Sequence, residues 1–392
     1  MSRIDELIAE HCPDGVEFCA LGSLGKRNSG TSITAGTMRK LAVDNGPIRV
    51  FAGGQTIADV AENAVRPTDI VREPSIIVKS RGHIGFAYYE RPFTHKSELW
   101  SYTLNDPAID QKFVYYFLLT QVRKLQDLAR ATSVKLPQLS VRDTDLLRIP
   151  VPPLEVQREI VRILDHFTEL EAELEAELEA RRRQYDHYRR QLLTFDIRTE
   201  WFALSDVVDY TNGKAHEKLA DPDGQIPMVT ARFISRNGEP NRFVRVEDIQ
   251  TPANAGDTAL VLSDLPNGRA LARTFYVDCD NGYAINQRVA RLRVKDADFV
   301  DPRFLYRVLD RNPGLLKHDN GVDQTHLSKS QVTGLRFPVP SLADQRGVVG
   351  MLEKFDALAN DLSVGLPAEL AARRKQYEHY RDRLLTFKEL QA

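Results

Sequence analysis

The sequence predicts an α+β fold laid out as a tandem repeat: two mixed domains, each followed by a long helical segment. Three observations carry this reading. The phrase "RRRQYDHYRRQLLTF" (residues 181–195) returns as "RRKQYEHYRDRLLTF" (373–387). Ahead of it, "RIPVPPLEVQREIVRILDHF" (148–167) returns as "RFPVPSLADQRGVVGMLEKF" (336–355), at an ungapped offset of 188. The interiors between these anchors hardly match, yet each holds short β-type runs punctuated by glycine. A period this long is two copies of a whole module, not a solenoid.

The elements follow in order. Residues 1–147 form the first variable domain. In it "PSIIVKSRGHIGFAYY" (74–89) reads as strand, glycine turn, strand, and "DQKFVYYFLLTQVRKLQDLA" as a helix started by an aspartate. Residues 148–196 form the central helical spacer. Prolines stop an extended run, then a helix begins. One seam of a heptad holds Gln157, Leu164, Glu171, Leu178, Tyr185 and Leu192, the other Ile160, Phe167, Leu174, Arg181, Tyr188 and Phe195. About forty helical residues span roughly 60 Å, and the stripe predicts a partner helix without fixing its direction. Residues 197–335 form the second variable domain, with "DTALVLSDLPNGRALARTFYV" (257–277) as strand, turn at 266–268, strand, and "DPRFLYRVLDRN" as its helix. Residues 336–392 form the C-terminal helical spacer. There the offset grows from 188 to 192, four extra residues near "SVGLP" (363–367). Gly365 and Pro367 predict a break, with the helix restarting at residue 368. Helix packing is assigned to Leu164, Phe167, Leu174, Leu178, Tyr185, Tyr188, Leu192, Phe355, Tyr377, Tyr380 and Leu384. A weaker match, "VEFCALGSLGKRNSG" (16–30) with "TEWFALSDVVDYTNG" (199–213), extends the repeat to the start of each half at an offset of 183. "SVKLPQLS" (133–140) lies over "GVDQTHLS" (321–328) at 188.

The 392 residues are 42% hydrophobic and 28% charged, ordinary globular composition, and the net charge of −2 gives no whole-chain signal for nucleic acid. Cys12, Cys19 and Cys279 form no C-x-x-C pair and are read as reduced thiols of a cytoplasmic protein. The start of the chain lacks the apolar run of a signal peptide, and no stretch is long and apolar enough for a membrane span.

No catalytic motif is found. "GSLGKRNSG" has glycines and a lysine but not the phosphate-loop spacing. The sole Pro-Pro lies in "VPPLEV", outside any amino-methyltransferase loop, and "DPDGQ" (221–225) reads as a turn. His187 and His379 have Tyr, Arg and Gln neighbours, which assigns them to helix packing and not to metal. The polar loops are more suggestive. Lys26, Arg27, Asn28, Arg39 and Lys40 lie among Gly, Ser and Thr, and Lys79, Arg81 and His83 precede "GFAYY". Lys135 follows, and Lys214, His216 and Lys218 stand in "GKAHEKL". Arg232, Arg236 and Arg242 flank Phe233 and Phe243, and Arg269, Asn286, Gln287 and Arg288 complete the set. Lys and Arg serve phosphates, while Arg, Asn and Gln match guanine and adenine edges. Any one of these side chains is also an ordinary solvated charge; their recurrence on loops of both halves is what selects DNA.

The pattern resembles the specificity subunit of type I restriction-modification systems. The resemblance spans the whole chain and rests on the two repeated phrases, on "CPDGVEF" near the start, on "GKAHEKL", and on "FDALANDLSVGLPAELAARRKQYEHYRDRLL" at the end. It implies that the variable segments are target recognition domains, each reading one half of a split DNA sequence. It implies that the long helices pair as an antiparallel coiled coil with approximate two-fold symmetry. Two methyltransferase (M) subunits and two restriction/translocase (R) subunits are the implied partners. S-adenosylmethionine, ATP and Mg²⁺ are expected on those partners and none on this chain, which is then not itself an enzyme. Competing readings are a coiled-coil assembly scaffold with no DNA role and a freestanding methyltransferase or nuclease. The first leaves the two differing basic-looped domains unexplained, and the second needs a catalytic loop.

Overall fold

The computed structural model describes residues 3–54, 56–132, 136–196, 198–265, 270–359 and 365–391. Contacts divide the chain into two compact units, Met1–Ala176 with Glu369–Ala392, and Glu177–Ala368. Each unit thus takes one variable segment together with helical stretches from both constant segments.

In the first unit, four antiparallel strands run in the order Gly25–Ser29, Trp100–Leu104, Ser75–Lys79, Gly85–Tyr89. The expected strand–turn–strand of residues 74–89 supplies the last two. The pleat alternates: Ile76 and Val78 join the core under the helices, while Ile77 joins Phe51, Phe93 and Leu99 on the other face. That double burial is why "SIIV" reads as an unbroken apolar run. A second sheet has the order Ile57–Val60, Ile48–Phe51, Phe93–His95, its last pair parallel. Helix α1 (Arg3–His11) opens the chain and α2 (Ala35–Leu41) follows the first sheet strand. Helix α3 (Gln111–Thr132) covers the first sheet through Phe113, Val114, Phe117 and Leu118. Its start is set by Asp110, whose carboxylate accepts from the N–H groups of Lys112 (2.9 Å) and Phe113 (3.1 Å). A short α4 (Val141–Asp145), closed by a Ser140–Asp143 capping box, leads through a strand at Arg148–Val151 into α5 (Leu154–Leu192).

The second unit repeats this plan. Its first sheet has the order Val208–Asn212, Val289–Val294, Thr258–Val261, Thr274–Tyr276, all antiparallel. The expected turn at 266–268 lies outside the described residues. A second sheet orders Phe243–Val244, Ile226–Val229, Tyr283–Ile285 and Pro252–Ala253, again with one parallel pair. Short helices α6 (Leu204–Val207) and α7 (Ala231–Ser235) precede α8 (Pro302–Leu309), which is capped by Asp301 as α3 is by Asp110. Then come α9 (Pro313–Leu316), α10 (Lys329–Thr333) with a Ser328–Gln331 capping box, and α11 (Leu342–Ala359). The last helix, α12 (Leu366–Leu384), starts two residues before the expected position 368. Proline is tolerated in a first turn, so Pro367 sits inside the helix, while Gly365 before it takes a left-handed φ of 89°.

Within the first unit α5 and α12 run antiparallel. Leu164 shares a core with Leu384, Phe167 stacks on Tyr380 (centroids 5.5 Å apart) and leans on Tyr377 (6.4 Å), and Arg374 pairs with Glu171 (2.6 Å) and Glu175. Within the second unit the end of α5 meets α11: Tyr188 stacks on Phe355 at 5.1 Å, and Tyr185 and Leu192 pack on a core holding Val348, Val349 and Leu352. Phe167 with Tyr380 and Phe355 with Tyr188 are the same contact made twice. Leu178 is buried and Leu174 half-buried. The seam is broken by charge at Arg181, which is exposed and bonds Glu177 (3.3 Å). His187 and His379 correct the expectation of helix packing: both are exposed, each edge-on to the next tyrosine.

Candidate nucleic-acid interface

In each unit the chain leaves the outer strand of the first sheet and crosses close over a neighbouring strand end. A Cβ on Gly30 would lie 2.4 Å from the Lys96 carbonyl oxygen, and one on Gly213 would lie 2.1 Å from that of Asn286. Only glycine permits this approach. Beyond the crossing, Thr31 bridges Lys96 and Lys214 bridges Asn286, both in parallel sense. The loop ahead of each capping box adds a further edge: Gln138 bridges Arg81, and the strand Thr325–His326 pairs with Ser263–Asp264.

In the second unit this framework gathers several of the expected residues. Lys214 and Lys218 are exposed beside the crossing, and Gln287 and Arg288 emerge from it. Two candidates are corrected. His216 is fully buried: its Nδ1–H donates to the Lys214 carbonyl (2.8 Å) and its Nε2 accepts from the Gln250 N–H (3.0 Å). Burial holds its pKa below the usual histidine value, so it stands as a neutral structural ring. Asn286 is 4% exposed; its Oδ1 accepts from the His216 N–H (3.1 Å) and its amide donates to Glu217 (2.8 Å). Burial pushes Glu217 up, but the amides of Asn286 and Gln287 help bring it net below the ordinary carboxylate value. Arg232 and Arg242 are exposed with no carboxylate at ion-pair distance among the described residues, whereas Arg236 pairs with Glu239 at 3.1 Å. Arg269 lies outside the described residues.

In the first unit Lys26, Arg39, Lys40, Arg81 and His83 are exposed and Lys79 is half-buried. Arg27 is tied to Asp145 (2.7 Å), which also accepts from the Tyr102 hydroxyl (2.6 Å). Asn28 is corrected too: its amide donates to Thr103 (2.8 Å) and Ser101 (3.3 Å) within the sheet and serves the fold. Lys135 lies outside the described residues. Sequence reasoning missed Lys96, Ser97 and Gln138 here, and Ser263, Gln324 and His326 in the second unit. Those last three line a shallow cleft with Gln287 and Arg288. Their signal was the alignment of residues 133–140 with 321–328, which marks the edge loop in both halves. Among the described residues no group of three or more His, Cys, Asp or Glu could hold a metal, and no described helix is long and apolar enough to cross a membrane.

A duplicated scaffold with a duplicated crossing and edge loop is matched by a family model, the type I restriction modification DNA specificity domain, found twice, over residues 13–180 and 198–372. The chain belongs to the type I restriction-modification DNA specificity family. It is 30% identical over 296 residues to the EcoR124I/EcoR124II specificity subunit of Escherichia coli, covering 70% of each chain. It is 28% identical over 294 residues to a putative type I specificity subunit of Haemophilus influenzae, covering 71% of this chain and 73% of that one. Among solved structures, a chain of a type I R-M system, described for its complex assembly and conformational transition, superposes with a TM-score of 0.62. That match has 14% identity and covers 95% of this chain and 98% of the other. The S subunit from M. genitalium gives a TM-score of 0.53 at 19% identity, over 94% and 95%. As a type I specificity subunit, this chain supplies DNA sequence specificity to a complex and is not its catalytic component.

Proposed function

We propose that each unit reads one half of a bipartite double-stranded DNA target. The constant helices set the unspecified spacer and dock two M subunits, with two R subunits joining the complex. S-adenosylmethionine, ATP and Mg²⁺ belong to those partners, and the assembly works in the cytoplasm. One observation carries this reading: the two units share the crossing, the edge loop and the capping boxes, yet differ in the polar side chains their loops expose. One scaffold with two polar faces suits two different half-targets. Exposed cations with no acid partner at ion-pair distance among the described residues, such as Lys26, Lys40, Lys214 and Arg232, suit the phosphates that position a duplex. The test is a methylome map of a host carrying this chain and its M subunit. A motif of two defined parts around a fixed gap is expected. A single continuous motif overturns the proposal.

A further inference from the structure

Which side chains read the bases follows from comparing the two units, and this step rests on the bipartite reading above. Backbone contacts alone put the units in register. Gly30 matches Gly213 at the crossing. Ser29 pairs with Trp100 as Asn212 pairs with Ala290, and the bridges Thr31–Lys96 and Lys214–Asn286 coincide. The Leu139 N–H donates to the Ser80 carbonyl and the Leu327 N–H to that of Leu262, each at 2.8 Å. Arg81 faces Gln138 as Ser263 faces His326.

In this register the framework residues agree: Gly30 with Gly213, Leu139 with Leu327, Ser140 with Ser328. Their polar neighbours disagree. Arg81 corresponds to Ser263, Ser97 to Gln287, Glu98 to Arg288 and Gln138 to His326. Each of these pairs changes charge or hydrogen-bonding pattern, and all but Glu98 and Ser263 are exposed. A fold that must present two donor–acceptor patterns can vary only side chains that its framework does not need. Phosphate contacts carry no sequence information, so a difference in chemistry at matched positions belongs to base edges.

We infer that Arg81, Ser97 and Gln138 are specificity-determining residues of one half-target, and that Gln287, Arg288, Gln324 and His326 are those of the other; Glu98 is held in an ion pair with Lys96 (2.7 Å) and is not among them. In the second set, Gln287 donates one amide N–H to Glu217 (3.1 Å) and Gln324 one to Ser263 (3.0 Å). These bonds orient the two amides. The carbonyl oxygen and second N–H of each remain uncommitted among the described residues, the donor–acceptor pair that an adenine edge accepts; Arg288 offers the fork that fits guanine.

The experiment uses the full chain assembled with its M subunits. Methylomes are mapped for the wild type, for the double variant Gln324→Ala/His326→Ala and for Gln138→Ala. Purified complexes are then titrated with duplexes carrying the mapped motif or single-base changes in either half. The double variant is expected to relax one half of the motif and leave the other intact, and Gln138→Ala to do the reverse. Discrimination against the wrong base at the relaxed position should fall about ten-fold or more. Both variants keeping wild-type discrimination in both halves overturns the inference. So does an equal loss of affinity for every duplex with the complex still assembled, which marks a phosphate contact. If a variant methylates nothing, the duplex titration decides by the same criteria. A wild type without a two-part motif instead defeats the function proposed above, before any variant is compared.

Discussion

His95 gives the first unit a response to pH in the weakly acidic range. It is 1% exposed, with Nε2 at 3.2 Å from the Ser101 hydroxyl, the same hydroxyl that accepts from Asn28. Burial pushes its pKa down to about 4, the Lys96 carbonyl pulling weakly the other way. The unfolded chain takes up the proton near pH 6.5, the native chain only near 4. Between those values the unfolded state binds more protons, so stability is full above pH 6.5 and declines as pH falls toward 4. The loss amounts to about 3 kcal/mol. Trp100, buried next to Ser101 in the chain, reports on it once Trp201→Phe removes the other tryptophan. Urea midpoints followed by Trp100 fluorescence should drop across that window, and His95→Gln should remove most of the drop. Equal pH profiles for both proteins contradict this account. The same burial explains what could not be read from the sequence here. Asn28, His216 and Asn286 have the side chains of DNA readers, but nothing in their immediate neighbours shows that they close internal networks.

At the scale of elements, local signals sufficed where a segment's own chemistry decides it. Asp110 and Asp301 start their helices by capping, and residues 74–89 pair because their apolar run is buried on both faces. The second sheet of each unit escaped notice because its strands are two to four residues long and one pair in each is parallel, so it depends on distant partners. The seam of α5 was legible, but its direction was not, since heptads in either sense look alike. The proposal that this helix sets the DNA spacer has a direct test. Four residues inserted within 169–180 lengthen a helix by about 6 Å and turn it roughly 40° beyond a full revolution, the mildest insertion for a coiled-coil seam. At about 3.4 Å per base pair the spacer should grow by one or two. Methylation mapped with the insert should retain both half-motifs and show the longer gap. An unaltered gap removes the helices from that role.

At the scale of the whole molecule, the repeat was the most legible feature, because two copies of one phrase need no physical model to be seen. What the phrase could not reveal is that the compact units cut across it, each drawing helices from both copies. Replacing residues 1–147 with the corresponding segment of another specificity subunit should therefore change one half of the target and leave the other. Methylome mapping of the chimera decides it. Simultaneous change of both halves contradicts independent reading.

Two buried glutamines give that modularity a physical cause. Gln157 accepts from the Asp110 N–H (2.7 Å) and donates to the carbonyls of Ala108 (2.9 Å) and Pro152 (2.7 Å). Gln345 makes the same three bonds to Asp301 (2.8 Å), Phe299 (3.0 Å) and Pro340 (2.9 Å). Every one of these partners is main chain. Variable side chains meet the spacer's acids beside them: Lys112 (2.8 Å) and the Tyr116 hydroxyl (2.5 Å) on Asp165, Arg303 on Glu353 and Arg307 on Asp356. The bonds of the two glutamines are themselves blind to the side chains of the segment they hold. On the function proposed above, a lineage carrying such a joint can trade variable segments by crossing over within the repeated phrases, and the offspring inherit a new target without relearning how to fold.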